Sequence, residues 1–138
     1  MADLTITAAS VIPAASNTTV SYNETAGETI TAGQAVYRDS GDNNECKKCD
    51  TTSAAKAAAY GIALNGASDG QPLAVLRSGN INPGATVAVG EVYTVSDTAG
   101  GIAVAADNGS GDYVTVLGIG TTTSNIAIDI QATGVAHA

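Results

Sequence analysis

Tyr113-Val-Thr-Val-Leu-Gly-Ile-Gly120 is followed, after a Thr/Ser-rich break, by Asn125-Ile-Ala-Ile-Asp-Ile-Gln131. Over Tyr113–Ile119 and Asn125–Gln131 apolar residues alternate with small or polar ones. Period two is the signature of a strand with one buried face, because successive side chains in a strand point to opposite sides. Working outward, the same Val-, Ile- and Thr-rich alternation marks strands at Leu4–Ala8, Glu28–Thr31, Gln34–Arg38, Ala59–Leu64, Pro72–Ser78, Thr86–Val89, Val92–Ser96 and Ile102–Ala105. Turn-forming clusters separate them: Ser40-Gly-Asp-Asn-Asn44, Asn65-Gly-Ala-Ser-Asp-Gly70, Asn80-Ile-Asn-Pro-Gly84, Thr98-Ala-Gly-Gly101 and Asp107-Asn-Gly-Ser-Gly-Asp112. The one helical candidate, Ser53-Ala-Ala-Lys-Ala-Ala58 with Thr52 or Ser53 as N-cap, is short enough to be a connector.

Many short strands at this spacing predict an all-β fold, a compact antiparallel β-sandwich or small barrel with one short helix. The two halves of the chain also resemble each other. Thr31-Ala-Gly-Gln-Ala-Val-Tyr37 parallels Val87-Ala-Val-Gly-Glu-Val-Tyr93, and Tyr60-Gly-Ile-Ala63 parallels Leu117-Gly-Ile-Gly120. Leu73-Ala-Val-Leu76 and Ile126-Ala-Ile-Asp129 are alternating strands in corresponding places. Two related β units, each roughly 55 residues long, would make one domain, since two repeats are too few for a solenoid.

Residues 1–25 read as an extended N-terminal arm, 26–132 as the β domain and 133–138 as a flexible C-terminal tail. Within the arm, Leu4-Thr-Ile-Thr7 is a strand without an immediate hairpin mate, and Val11-Ile-Pro-Ala-Ala-Ser-Asn17 is small and polar. Such an arm can pair with its own sheet or add a strand to a neighbour's edge.

Composition limits the core. Of the 138 residues 44% are hydrophobic, but much of that is alanine; Phe and Trp are absent, and the aromatics are five tyrosines. Burial contributes roughly 25 cal/mol per Å² of apolar area, so an alanine-rich core is weak per residue, and support from oligomerisation or a larger surface is expected. The net charge is −8. The cations are Arg38, Lys47, Lys48, Lys56 and Arg77, three of them crowded beside Glu45 and Asp50. Nucleic acid is held by clustered Lys and Arg that neutralise phosphates, so none is expected as a partner. No run is long and apolar enough for a membrane span. The first residues lack the basic and apolar regions of a secretory signal, which predicts synthesis and retention in a cytosol or assembly there into something larger.

No catalytic constellation emerges. Cys46-Lys-Lys-Cys49 is the one motif with a chemical reading. A redox pair of this type needs a βαβ setting, and a structural zinc site needs four ligands, whereas this motif supplies two thiols. A turn left reduced, or closed by a local disulfide between Cys46 and Cys49, is the plainer reading. The only histidine, His137, lies next to the C-terminus, a poor place for the base of a serine nucleophile. Paired carboxylates are available, but a sugar cleft would also want aromatic platforms. Asp107, Asp112 and the loop between them do not have EF-hand spacing. The expectation is a protein that is not an enzyme, with no cofactor and no metal.

Several segments together resemble a known family. Gly27-Glu-Thr-Ile-Thr-Ala-Gly-Gln-Ala-Val-Tyr37, Lys56-Ala-Ala-Ala-Tyr-Gly-Ile-Ala-Leu64, Gly70-Gln-Pro-Leu-Ala-Val-Leu-Arg-Ser-Gly79, Gly90-Glu-Val-Tyr-Thr-Val-Ser96 and the closing pair quoted first are similar, in order and spacing, to bacteriophage capsid decoration (cement, or head-stabilising) proteins. The resemblance covers residues 27–130. It implies a β-rich homotrimer that binds the major capsid protein on the outer capsid surface of the virion, at three-fold or quasi-three-fold positions. There it would stabilise the expanded head, after synthesis in the host cytoplasm. Cys46 and Cys49 depart from the family pattern. In this reading Ala2, Asp3, Leu4, Thr5, Ile6, Thr7, Val11 and Ile12 form an arm that docks on the capsid or a neighbouring protomer. The alternative is a receptor- or glycan-binding module of a virion fibre, which predicts solvent-facing aromatics in the loops.

Overall fold

A computed structural model describes all residues, Met1–Ala138. Its strands, in chain order, are β1 (Val11–Pro13), β2 (Thr19–Thr25), β3 (Ala35–Asp39), β4 (Glu45–Lys48), β5 (Gly61–Ala63), β6 (Pro72–Pro83), β7 (Val92–Val95), β8 (Ile102–Val104), β9 (Tyr113–Gly120) and β10 (Ile126–Ala136). One helical turn, α1 (Ala54–Ala57), lies between β4 and β5, and the Ser53 side chain caps it by accepting from the Lys56 N–H at 3.3 Å. All strand pairings are antiparallel, and the sheet order is β4-β3-β5-β6-β10-β9-β7-β8, with β1 and β2 both added to β6. The sheet curls into a half-barrel, so the chain is all-β.

The strand order reads the same from either end. A first unit, β4-β3-β5-β6, meets a second, β8-β7-β9-β10, along the β6–β10 seam, where Ile81 lies opposite Ile126. Each strand of one unit has a counterpart in the other, in the same chain order. Tyr37 on β3 and Tyr93 on β7 both enter the inner core. Gly61 and Gly118 play matching parts: an added Cβ would lie 2.3 Å from the Leu76 carbonyl oxygen in the first unit and 2.0 Å from that of Ala127 in the second. Only glycine lets the neighbouring backbone come this close. The tyrosines are 56 positions apart and the glycines 57. The register of β7 on β9 slips beside Leu117, where Tyr93 faces Gly118 but Thr94 faces Val116. Such a bulge accommodates one extra residue.

Two apolar clusters flank the sheet. The inner one draws on both units, with Ala35, Tyr37, Ile62 and Leu76 meeting Tyr93, Val95, Leu117, Ile126 and Ile128. The outer one belongs to the first unit alone, where Ala26, Ile30 and Ala67 lie over Val36, Cys46, Ala63, Leu73 and Val75. Tyr93 is the largest fully buried side chain, and its hydroxyl accepts from the Ala88 N–H at 2.8 Å. Only 35 of 138 residues are buried, in keeping with the small core expected from composition.

Three expected strands do not form ladders and are held by isolated bonds. Leu4–Ala8 follows the Asp3–Ala103 bridge; the Leu4 N–H donates to the Ile102 carbonyl and the Thr7 N–H to the Gly84 carbonyl, each at 2.8 Å, before a 3-10 turn at Ala8–Ser10. Glu28–Thr31 contributes the Ile30–Ala67 bridge as part of the outer lid. Thr86–Val89 is a loop tied by the Val87 N–H to the Thr123 carbonyl at 2.9 Å. Conversely, β1, β2 and β4 form where strong alternation is missing, and β6 runs through Asn80-Ile-Asn-Pro83, which reads as a turn. There Ile81 is pinned between Ile126 and Pro13, and Pro83 ends the strand, where a missing N–H costs little.

Both ends of the chain, expected as an arm and a tail, pair with the sheet. Residues 1–25 carry β1 and β2 and pair with the sheet; β1 and β2 take successive stretches of β6, Pro83–Ile81 and then Ser78–Pro72. Residues 133–136 belong to β10, and the His137 N–H donates to the Asp112 carbonyl at 2.7 Å. Unpaired backbone groups are costly, and both ends find partners on strands already in place.

Candidate functional site

The arm residues lie on the chain's own sheet. Asp3 accepts from the Ser96 hydroxyl at 2.5 Å, and the Ala2 N–H donates to Asp107 Oδ2 at 2.9 Å. Leu4 and Ile6 pack against the inner core, and Val11 is buried in it. Ile12 is the exposed large apolar member of the set, and Ala2, Thr5 and Thr7 are exposed with it. The arm therefore covers the β8 edge of its own sheet. At the opposite edge the Gly27 N–H donates to the Cys46 carbonyl and Glu28 Oε2 accepts from the Lys48 N–H, each at 2.8 Å. Both ends of the strand order are thus blunted by the chain itself, a usual defence against edge-to-edge pairing. A cleft of about 220 Å³ remains between the arm and the 98–101 turn, lined by Asp3, Leu4, Ile6, Gln34 and Gly100 among others.

Cys46 and Cys49 are both buried and stand unbridged in this structure. Cys46 faces the outer cluster and Cys49 the inner one, because residues three apart along a strand point to opposite sides. Burial first, and Glu24 second, push the Cys46 thiol up to about 11. Burial raises Cys49 further still, with Asp50 and Cys46 adding to it. A nucleophilic thiol needs the reverse. No group of three or more His, Cys, Asp or Glu side chains converges as a metal site. In the 107–112 loop, Asp112 accepts from the Gly109 N–H at 2.7 Å and the Thr51 hydroxyl at 3.0 Å, while Asp107 holds Ala2. These carboxylates close the loop.

Charge is distributed unevenly. All five cations lie in the first unit, and from residue 79 onward the chain has Glu91, Asp97, Asp107, Asp112 and Asp129 with no Lys or Arg. Lys47 bridges Asp39 at 2.9 Å and Asp42 at 3.1 Å, Lys48 meets Glu28 at 3.8 Å, and Lys56 meets Asp50 at 3.8 Å. The Lys47 hydrogen bond, with help from the Gly41 N–H, lowers the Asp39 pKa.

The most distinctive surface is the outer face of β9 and β10. In the first unit the corresponding face is sealed by the outer cluster, but here Val116, Ile119 and Ala127 line a shallow groove of about 290 Å³ with Gly118, Asp129 and Gln131. Ile119 is 48% exposed, and Val89 and Val135, in and beside these strands, are each 65% exposed. The sequence shows this face as ordinary strand alternation and does not reveal that no lid covers it. Compared with known proteins, the chain matches no family model and no curated sequence.

Proposed function

We propose that this protein is a non-catalytic structural component that docks on the outer surface of a viral capsid as a homotrimer and stabilises the expanded head. The observation that carries the reading is the uncovered apolar face of β9 and β10, set in a half of the chain without a single cation. An apolar patch rimmed by polar groups is the usual mark of a protein-binding surface, and acidic surroundings disfavour nucleic acid. The choice of the major capsid protein as partner, and of three-fold geometry, rests on the resemblance of residues 27–130 to capsid decoration proteins. The face, and not residues 2–12, is assigned the docking role, since the arm is engaged on its own sheet. Of the large apolar side chains Tyr22 is the one prominently exposed aromatic, at 73%; it lies on β2 and not in a loop, which gives a glycan platform little support.

Co-sedimentation with expanded, undecorated heads of the encoding virus tests the reading. Saturable binding near three copies per three-fold site is the expected result. A folded protein that fails to bind expanded heads would overturn it. Sedimentation velocity of the free protein tests the trimer separately.

A further inference from the structure

The chain has two arginines, Arg38 and Arg77, and both converge on one ring. The Arg77 guanidinium carbon stands 3.6 Å from the Tyr60 ring centroid and that of Arg38 5.0 Å from it. Tyr60 itself packs against the outer cluster of the first unit. Arg77 occupies a slip in register on β6, where Thr19 pairs with Ser78 but Val20 with Leu76, and a bulge of this kind re-aims the side chain it carries. Its Nε donates to the Tyr60 carbonyl at 2.7 Å, which fixes the stem of the fork.

One carboxylate attends the pair. Glu24, whose side chain is 10% exposed, receives Arg38 Nε at 3.4 Å, the Tyr60 hydroxyl at 3.1 Å and the Ser21 hydroxyl at 2.6 Å. Those contacts occupy it. Arg77 is exposed and pairs with no acid, whereas each of the three lysines does. Two guanidiniums against one carboxylate leave a single positive charge uncompensated in a protein of net charge −8. Aromatic stacking holds the like charges together, and a pre-oriented guanidinium fork matches a carboxylate in two parallel hydrogen bonds.

We propose that the Arg38–Tyr60–Arg77 bracket is a docking point for a carboxylate side chain presented by a protein partner. A monoanion balances the residual charge, while a phosphate dianion would exceed it in a protein of net charge −8. The proposal is independent of the capsid reading. It concerns the other unit of the sheet and requires only an acidic protein surface.

Because only two arginines are present, the arginine Nε–H region of a 15N NMR spectrum holds two side-chain signals to follow. The probes are a blocked pentapeptide with a central glutamate, the same peptide with glutamine, and inorganic phosphate. The glutamate peptide should shift both signals saturably, with Kd of about 1 mM as for one charge-assisted pair, and the glutamine peptide should not. Arg77→Gln should weaken binding about tenfold or more in a protein that still unfolds cooperatively. Arg77→Lys, which keeps the charge and loses the fork, should fall between. Unmoved signals, or equal responses to the glutamate and glutamine peptides, would overturn the proposal. Tighter binding of phosphate than of the glutamate peptide would replace the carboxylate with a free oxyanion and equally overturn it.

Discussion

The two four-stranded units share an order of strands and differ in what covers them. The first is sealed on its inner face by the common core and on its outer face by Ala26, Ile30 and Ala67, and its lysines are paired with acids. The second shares the inner core, leaves Val116, Ile119 and Ala127 uncovered over β9 and β10, and has no cation. The difference teaches that the repeated positions dictate topology, while residues outside the repeat decide which surface remains for a partner. Residues 26–32 close one unit, and nothing equivalent lies over the groove of the other.

The largest effect should come from Leu73→Ala, which empties part of the outer cluster. A Leu→Ala change in a core costs about 3 kcal/mol, read as a lower denaturant midpoint. Hydrogen exchange should quicken first at the Ile30 and Ala67 amides, which bond to one another's carbonyls. Uniform acceleration across β9 and β10 would mean that the outer layer is not a separate feature of the first unit. Next come Gly61→Ala and Gly118→Ala, each forcing a Cβ into a backbone carbonyl. Overpacking of this kind costs about 2 kcal/mol, and similar losses at the two sites would show that the glycines are equivalent. A marked inequality would break the correspondence.

A third, smaller effect depends on pH. The Cys46 thiol, ordinarily at 9.0, is held up to about 11 in the folded chain. Its stabilising contribution is therefore complete below the unfolded value and is lost as pH rises through that window. Thermal midpoints should fall across the same interval, and Cys46→Ala should flatten part of the decline. Rapid alkylation of the native protein near neutrality would contradict the burial behind this expectation. The smallest effect on the fold belongs to Ile119→Lys. An exposed substitution should change stability by less than about 0.5 kcal/mol, yet it should abolish capsid binding if the bare face is the contact. Removal of residues 2–7 should do the reverse, lowering stability through loss of the β8 cover and sparing affinity.

Much of the architecture was legible wherever side chains alternate over a buried face. Tyr113–Gly120, Pro72–Ser78 and Val92–Val95 are strands for the reason their sequences suggest, and Ser53 caps the short helix. The reading failed where pairing, and not patterning, makes the strand. Thr19-Val-Ser-Tyr-Asn-Glu-Thr25 shows no continuous apolar side because it is an added edge on β6. Glu45-Cys-Lys-Lys48 looks like a charged turn, yet it zips onto β3 with Lys47 opposite Tyr37. Leu4–Ala8 has the pattern but makes only isolated bonds, from Leu4 to Ile102 and from Thr7 to Gly84, and no continuous ladder. The candidate face was illegible for a related reason. Exposure of Ile119 follows from the absence of a lid, and an absence leaves no local mark in the residues it exposes. The arginine bracket joins Arg38, Tyr60 and Arg77 from three strands or their flanks, and no spacing in the chain announces it.

The palindromic order of strands carries a consequence for the history of the chain. Two separate copies of a four-stranded protein, meeting across a two-fold axis by their last strands, would build the same β6–β10 seam. Joined in a single gene, the copies are released from having to keep identical surfaces. One half can acquire a permanent cover while its twin remains open, and a symmetric pair becomes a molecule with a front and a back.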